Sequence, residues 1–153
     1  METLDPTDLK ILKIIQEDSS LTIKEIAMKV NLSTTPVFER IRRLESQGYI
    51  KKYIAILDPE KLNLGFTVYC NVKLSKLSHD NSEDFVNAIQ KIPEVTECYN
   101  TTGQFDYLLK IRAPNMRYYH EFITNVLGRI ESIGSIESSF VMAEIKYSHS
   151  LIF

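Results

Sequence analysis

The sequence predicts an α+β chain: an N-terminal helix-turn-helix unit followed by a ferredoxin-like β-α-β-β-α-β domain. Three observations carry this. Over the first fifty residues apolar side chains recur at helical spacing behind recognisable caps. From Phe66 the spacing switches to strand-like alternation. The elements beyond that point then succeed one another as strand, helix, strand, strand, helix, strand, the ferredoxin-like order. A length of 153 residues suits one ordinary domain or two small ones, and 44% apolar with 25% charged residues is the composition of a globular core.

Asp5-Pro6 reads as an N-cap with proline at the first helical position and Asp8 as the capping-box acid. Leu9, Ile11, Leu12, Ile14 and Ile15 give that helix its apolar face until Asp18-Ser19-Ser20 breaks it. Thr22-Ile23-Lys24-Glu25 is a second capping box, followed by Ile23, Ile26, Ala27 and Val30 at helical spacing. After the short break Asn31-Leu32, Ser33 is expected to cap a third helix, with Val37, Ile41 and Leu44 inward and Gly48 as its stop. Tyr49 to Leu57, rich in β-branched and aromatic residues, reads as a strand, and Asp58-Pro59 through Gly65 as a punctuated connector. Strands are expected over 66–74, 95–101, 105–112 and 138–147, and helices over 82–92 and from Asn115 to Ile130. The domains are therefore expected as 1–50 for the helix-turn-helix, 51–65 for a strand linker and 66–153 for the ferredoxin-like part.

Several classes fall away. No apolar run approaches the ~20 residues of a membrane span, so no membrane role is expected. Met1-Glu2-Thr3-Leu4-Asp5 lacks the profile of a signal peptide, and Cys70 and Cys98 read as reduced thiols, so a cytoplasmic location is expected. His79, His120 and His149 are scattered, with no nucleophile triad, no H-E-x-x-H and no phosphate-loop motif. No catalytic residue, no metal and no cofactor is expected; the chain does not read as an enzyme.

The net charge of −2 argues, globally, against nucleic acid. Its distribution argues the other way. Residues 19–53 hold seven basic groups (Lys24, Lys29, Arg40, Arg42, Arg43, Lys51, Lys52) against three acidic ones, whereas the stretches on either side are each net −3. The positive charge coincides with the helix-turn-helix, where it can displace phosphate counterions on double-stranded DNA. Ala27 is small where the third helix must cross, and Asn31 tolerates a left-handed turn. The N-terminal turn of the third helix, with Ser33, Thr34, Thr35 and Pro36, then Glu39 and Arg40, is expected to face base edges. Arg40 is a candidate for bidentate contact with guanine, and Arg42 and Arg43 for phosphate clamps. The competing reading of the same helices is a small protein-binding unit.

Leu32-Ser33-Thr34-Thr35-Pro36-Val37, Arg40-Ile41-Arg42-Arg43-Leu44-Glu45 and Gly48-Tyr49-Ile50 resemble the helix-turn-helix of the leucine-responsive/asparagine regulator (Lrp/AsnC) family. Gly103-Gln104-Phe105-Asp106-Tyr107-Leu108-Leu109 resembles that family's G-D-F-D-Y-L-L segment, and Val141-Met142-Ala143-Glu144-Ile145-Lys146 its last strand. The resemblance implies a winged-type helix-turn-helix, a RAM-type ferredoxin-like domain, control of transcription, dimers that assemble further up to octamers, and an amino-acid effector held between subunits near that loop. Two residues depart from the pattern: Gln104 replaces the loop's first acid, and Asn31 the customary turn glycine.

Given such an effector, its ammonium needs an acceptor and its carboxylate needs donors. Asp106 is the expected acceptor, and backbone N–H groups around Thr102, Gly103 and Gln104 the donors. Asn100, Thr101, Gln104 and, from the last strand, Ser138 are candidate selectors; the alternative is that Gly103 merely turns a hairpin and Asp106 pairs with a neighbouring cation. A ferredoxin-like domain of this size leaves one sheet face open, and pairing two faces in a homodimer covers it. Such a dimer presents two reading helices about one DNA turn apart, or multiples of it. The alternative function is an amino-acid-binding regulatory module that acts through a protein partner without DNA.

Overall fold

Asp5 opens α1 (Pro6–Glu17) through a reciprocal box: its carboxylate accepts the Asp8 N–H at 2.8 Å, and Asp8 returns the bond to the Asp5 N–H at 3.1 Å. Thr22 and Glu25 do the same for α2 (Ile23–Val30). Asn31 ends α2 in the left-handed region at φ 56°, the conformation a turn this short demands. Helix α3 (Thr34–Ser46) follows after two more residues. Ser33 occupies its N-cap position, yet the expected cap bond is absent, and the hydroxyl is left at the surface. Ile11, Ile15, Ile26, Ala27, Val30, Val37, Ile41 and Leu44 form the core of the three helices.

Residues 4–153 are described by the structure, a computed structural model. The chain divides into two units, one running to Ile56 and resumed by Lys146–Phe153, the other Leu57–Ile145. This grouping sets 51–56 and 146–153 with the helices. The expected absence of a targeting profile rests in part on Met1-Glu2-Thr3, which lie outside the described residues.

In the second unit, β1 (Phe66–Leu74), α4 (His79–Ile89), β2 (Val95–Asn100), β3 (Tyr107–Ala113), α5 (Met116–Asn125) and β4 (Ile133–Phe140) follow in the expected order. The strands pair antiparallel as β2-β3-β1-β4, so the two middle strands are the first and third in sequence. That is the ferredoxin-like arrangement. On β1 the residues Val68, Cys70, Val72 and Leu74 are buried in alternation, the first three opposite the buried Ile111, Leu109 and Tyr107 of β3. Phe85 and Ile89 of α4 and Tyr119 and Phe122 of α5 complete this one-sided core. On the other face Lys110 is nearly inaccessible, its ammonium 3.0 Å from Glu97 and 6.0 Å from the centre of the Tyr69 ring.

Two expected strands are corrected. Tyr49–Leu57 is not a strand: it has no ladder partner among the described residues, and a strand exists only through its ladder. Its Tyr53, Ile54 and Ile56 consequently remain exposed. The last strand is Ile133–Phe140, not 138–147. Its register is set by β1, with Leu74 opposite Ile133 and Val68 opposite Phe140, and β1 begins two residues before Val68. Beyond it the chain runs to the helical unit, where Gln16 exchanges two side-chain hydrogen bonds of 3.0 Å with the Leu151 backbone and Lys13 lies 5.6 Å from the Phe153 ring centre.

Candidate functional site

Helix α3 buries Val37, Ile41 and Leu44 and turns Thr35, Glu39, Arg42 and Ser46 outward as one exposed stripe at i, i+4, i+7 and i+11. Ser33 and Thr34 are exposed at its start, and Pro36 is half-buried. The Arg42 guanidinium lies 5.6 Å from the centre of the exposed Phe38 ring, a cation–π contact at the surface of the unit. Lys24, Lys29, Lys51 and Lys52 are exposed in the same unit. Tyr53, just beyond, donates to Glu45 of α3 at 2.9 Å; burial, and then the neighbouring carboxylate, push its pKa up to about 12.

The other two arginines of α3 are differently placed. Arg40 donates to Asp8 Oδ1 at 2.7 Å and to the Asp5 carboxylate, and Arg43 donates to Asp8 Oδ2 at 2.7 Å. Asp8 is only 1% exposed. Arg40 is therefore engaged inside the helical unit, and Arg43 is engaged by the same carboxylate. The two aspartates hold the Arg40 pKa above its ordinary value, Asp8 being the larger influence. The partners were missed because Asp8 had a sufficient local role as a capping acid. A signal was available: Asp8, Ile11 and Ile15 share one helix face at i, i+3, i+7, and a carboxylate in a buried stripe requires a cationic partner.

The loop between β2 and β3 gathers most of the second expected set. Gly103 turns at φ 113°, a backbone that side chains resist, and a Cβ there would meet nothing within 4 Å. Around it Asn100, Thr102 and Gln104 are exposed and Thr101 half-buried. The Asn100 amide donates to the Asp106 carbonyl at 3.0 Å, as does the Thr101 N–H at 2.9 Å, and the Thr101 hydroxyl donates to Phe105 O at 3.2 Å. Asp106 already has partners within the chain. One oxygen pairs with Lys73 Nζ at 3.0 Å and the other accepts the Leu74 N–H at 2.8 Å, so the carboxylate pins the loop to the end of β1. That backbone bond first, then Lys73, holds its pKa below the ordinary 3.8. Ser138 is not brought to the loop. It lies on β4, separated from β3 by β1, with its hydroxyl 2.6 Å from Tyr119 Oη on the core side of the sheet.

Two cavities of about 460 and 510 Å3 both lie in the helical unit, and the 100–106 loop contributes to neither. Among the described residues no group of three His, Cys, Asp or Glu side chains is placed to hold a metal ion, and no helix is long and apolar enough to cross a membrane.

Comparison with known proteins covers both units. Residues 4–51 match the winged helix-turn-helix DNA-binding family, and residues 67–151 the Lrp/AsnC ligand-binding domain. The chain is 38% identical to the leucine-responsive regulatory protein of Klebsiella pneumoniae over 97% of its own length and 91% of that protein. It is 37% identical to the DNA-binding transcriptional activator DecR of Escherichia coli, covering 97% of each. Among solved structures, a transcriptional regulator of Neisseria meningitidis in complex with L-Met superposes with a TM-score of 0.94 at 38% identity, covering 98% of this chain and 97% of that one. An AsnC-family regulator from Agrobacterium tumefaciens gives 0.92 at 38% identity, with 97% of each covered.

Proposed function

From the premise that the chain belongs to the Lrp/AsnC family of DNA-binding transcriptional regulators, which are not enzymes, we propose the parts of it that meet DNA and effector. Helix α3 enters the major groove with Ser33, Thr34 and Thr35 at its leading end and Glu39 and Arg42 one and two turns on. Hydroxyls at a helix N-terminus suit phosphate or base edges, and Glu39 can accept from the cytosine amino group. Arg42 supplies the helix's phosphate contact, with Lys24, Lys29, Lys51 and Lys52 as flanking cations. Pro36 shapes the turn rather than touching DNA. The observation that carries this reading is the exposed stripe on α3 in a unit where Arg40 and Arg43 already have internal partners.

The second unit takes a free amino acid as effector, in the class of the L-Met held by the Neisseria relative. The polar groups of the exposed Asn100, Thr102 and Gln104 and of the half-buried Thr101 about Gly103 favour the β2–β3 loop, with Asp106 as the residue that fixes its shape. Neither of the two cavities described above includes this loop, and a second subunit is proposed to complete the pocket. The working form is a homodimer that builds larger rings of the octamer kind, acting on DNA in the cytoplasm. The open face of the sheet and the exposed, unladdered segment with Tyr53, Ile54 and Ile56 support self-association.

One experiment tests both halves. Duplexes selected by the chain from a random pool are footprinted with and without each free amino acid. Protection in paired half-sites spaced by whole DNA turns, altered by a subset of amino acids, is the expected result. Protection without half-site spacing would overturn the dimeric reading, and indifference to every amino acid would overturn the effector.

A further inference from the structure

Asp8 carries a charge into the interior of the helical unit, at 1% exposure. A buried carboxylate is costly unless it is fully satisfied, and this one is: the Asp5 N–H at 3.1 Å, Arg40 at 2.7 Å and Arg43 at 2.7 Å surround its two oxygens. Asp5 adds a second carboxylate to Arg40. Both acids sit at the start of α1, where the helix dipole also favours negative charge. A pair of this kind adds little stability compared with apolar side chains of the same volume. Its distinctive contribution is geometry and charge.

The apolar contact of Ile11 and Ile15 with Val37, Ile41 and Leu44 is non-directional, and by itself tolerates a rolling or sliding helix. One carboxylate gripping two arginines three residues apart on α3 permits neither. The same grip occupies two of the three guanidinium groups of α3 with internal anions. Counterion release from DNA scales with the cations placed on phosphates, and cations held by Asp5 and Asp8 add nothing to it.

We infer that Asp8, supported by Asp5, is a positioning and specificity-determining residue for DNA recognition: it sets the orientation of α3 and withholds Arg40 and Arg43 from sequence-independent phosphate binding. The inference rests on the reading of α3 as the element that enters DNA. Weak binding to arbitrary sequence and a fixed reading helix raise the ratio of specific to non-specific affinity, the quantity that decides occupancy among many competing sites.

The test uses the full chain on two duplexes, one selected from a random pool by the parent chain and one of mixed sequence, over a range of KCl concentrations. Asp8→Asn keeps the shape and removes the charge. On the mixed duplex its logarithmic salt slope is expected to steepen by about one unit for each arginine released. Its affinity ratio between the duplexes is expected to fall by about tenfold or more. Arg43→Gln is expected to leave the slope unchanged, and Asp8→Asn/Arg43→Gln to return it part or all of the way to the parent value. An unchanged slope and ratio in a folded Asp8→Asn chain would overturn the inference, leaving the cluster a purely structural pair. If Asp8→Asn does not fold, Arg43→Gln decides: a slope flattened by about one unit places Arg43 on phosphate and overturns it, and an unchanged slope upholds it. A parent chain with no salt-dependent binding to either duplex would overturn the DNA reading as well; silent variants of a binding parent overturn this inference alone.

Discussion

Arg40, Arg42 and Arg43 lie within four residues of one helix, and the difference in their roles is a matter of direction. Arg42 points outward over Phe38, whereas its two neighbours reach back to α1. Arg42→Ala is therefore expected to lower the salt slope of DNA binding by about one unit with little change in melting temperature. Arg40→Ala is expected to do the reverse, because it removes one of three partners from a buried carboxylate, at a cost of about 1–3 kcal/mol; denaturant unfolding and a salt titration on the same samples separate the two. Asp106 shows the same principle in the sheet. Its carboxyl titrates lower in the folded chain than its ordinary 3.8, so protonation favours the unfolded chain. Its contribution is complete above the ordinary value and is lost as pH falls through the folded one. Unfolding followed from pH 6 downward should show Asp106→Asn losing less stability below about pH 4 than the parent, and an identical pH dependence would remove Asp106 from the acid-labile set.

At the scale of elements, the two capping boxes and the left-handed Asn31 fix where the first helices start and stop. Thr22→Ala removes the acceptor for the Glu25 N–H and is expected to cost about 1 kcal/mol. Asn31→Gly should be near neutral, since either residue accepts φ 56°, but Asn31→Val should cost on the order of 1–2 kcal/mol because a branched Cβ resists that region. Equal losses for the two substitutions, measured by denaturant unfolding, would show that the Asn31 side chain and not its backbone matters. These signals were legible because caps and turns act within four residues of themselves. The strands at 49–57 and 141–147 were misread for the complementary reason: β-branched composition gives a segment the capacity to be a strand, while the partner that makes it one lies elsewhere.

Across the whole molecule, the chain leaves the helical unit at Ile56, forms the sheet domain, and returns at Lys146. The last residues hold α1 through the paired Gln16–Leu151 bonds and the Lys13–Phe153 contact. Removing residues 146–153 is expected to destabilise the helical unit by about 1 kcal/mol, equivalent to ~4–8 °C in a unit of this size. Hydrogen exchange provides the check: amides of α1 should lose protection while those of β1 and β3 keep theirs, and uniform loss through both units would show that the tail acts otherwise. The net charge of −2 also belongs to this scale, and it concealed the basic segment because the acidic stretches on both sides, each net −3, offset it.

The two-part organisation, the caps, the order of the elements and the place of the helix-turn-helix are all written in the sequence. Each of these depends on neighbours a few residues away, so the periodicities and cap residues record them directly. Which charges face outward is not written there. Asp8 meets Arg40 and Arg43 more than thirty residues along the chain, and Lys73 meets Asp106 across β1 and the end of a hairpin. A charged side chain has the same letter whether it is solvated or held by a buried partner. The difference lies in desolvation and in the position of the opposite charge, and both are set by packing.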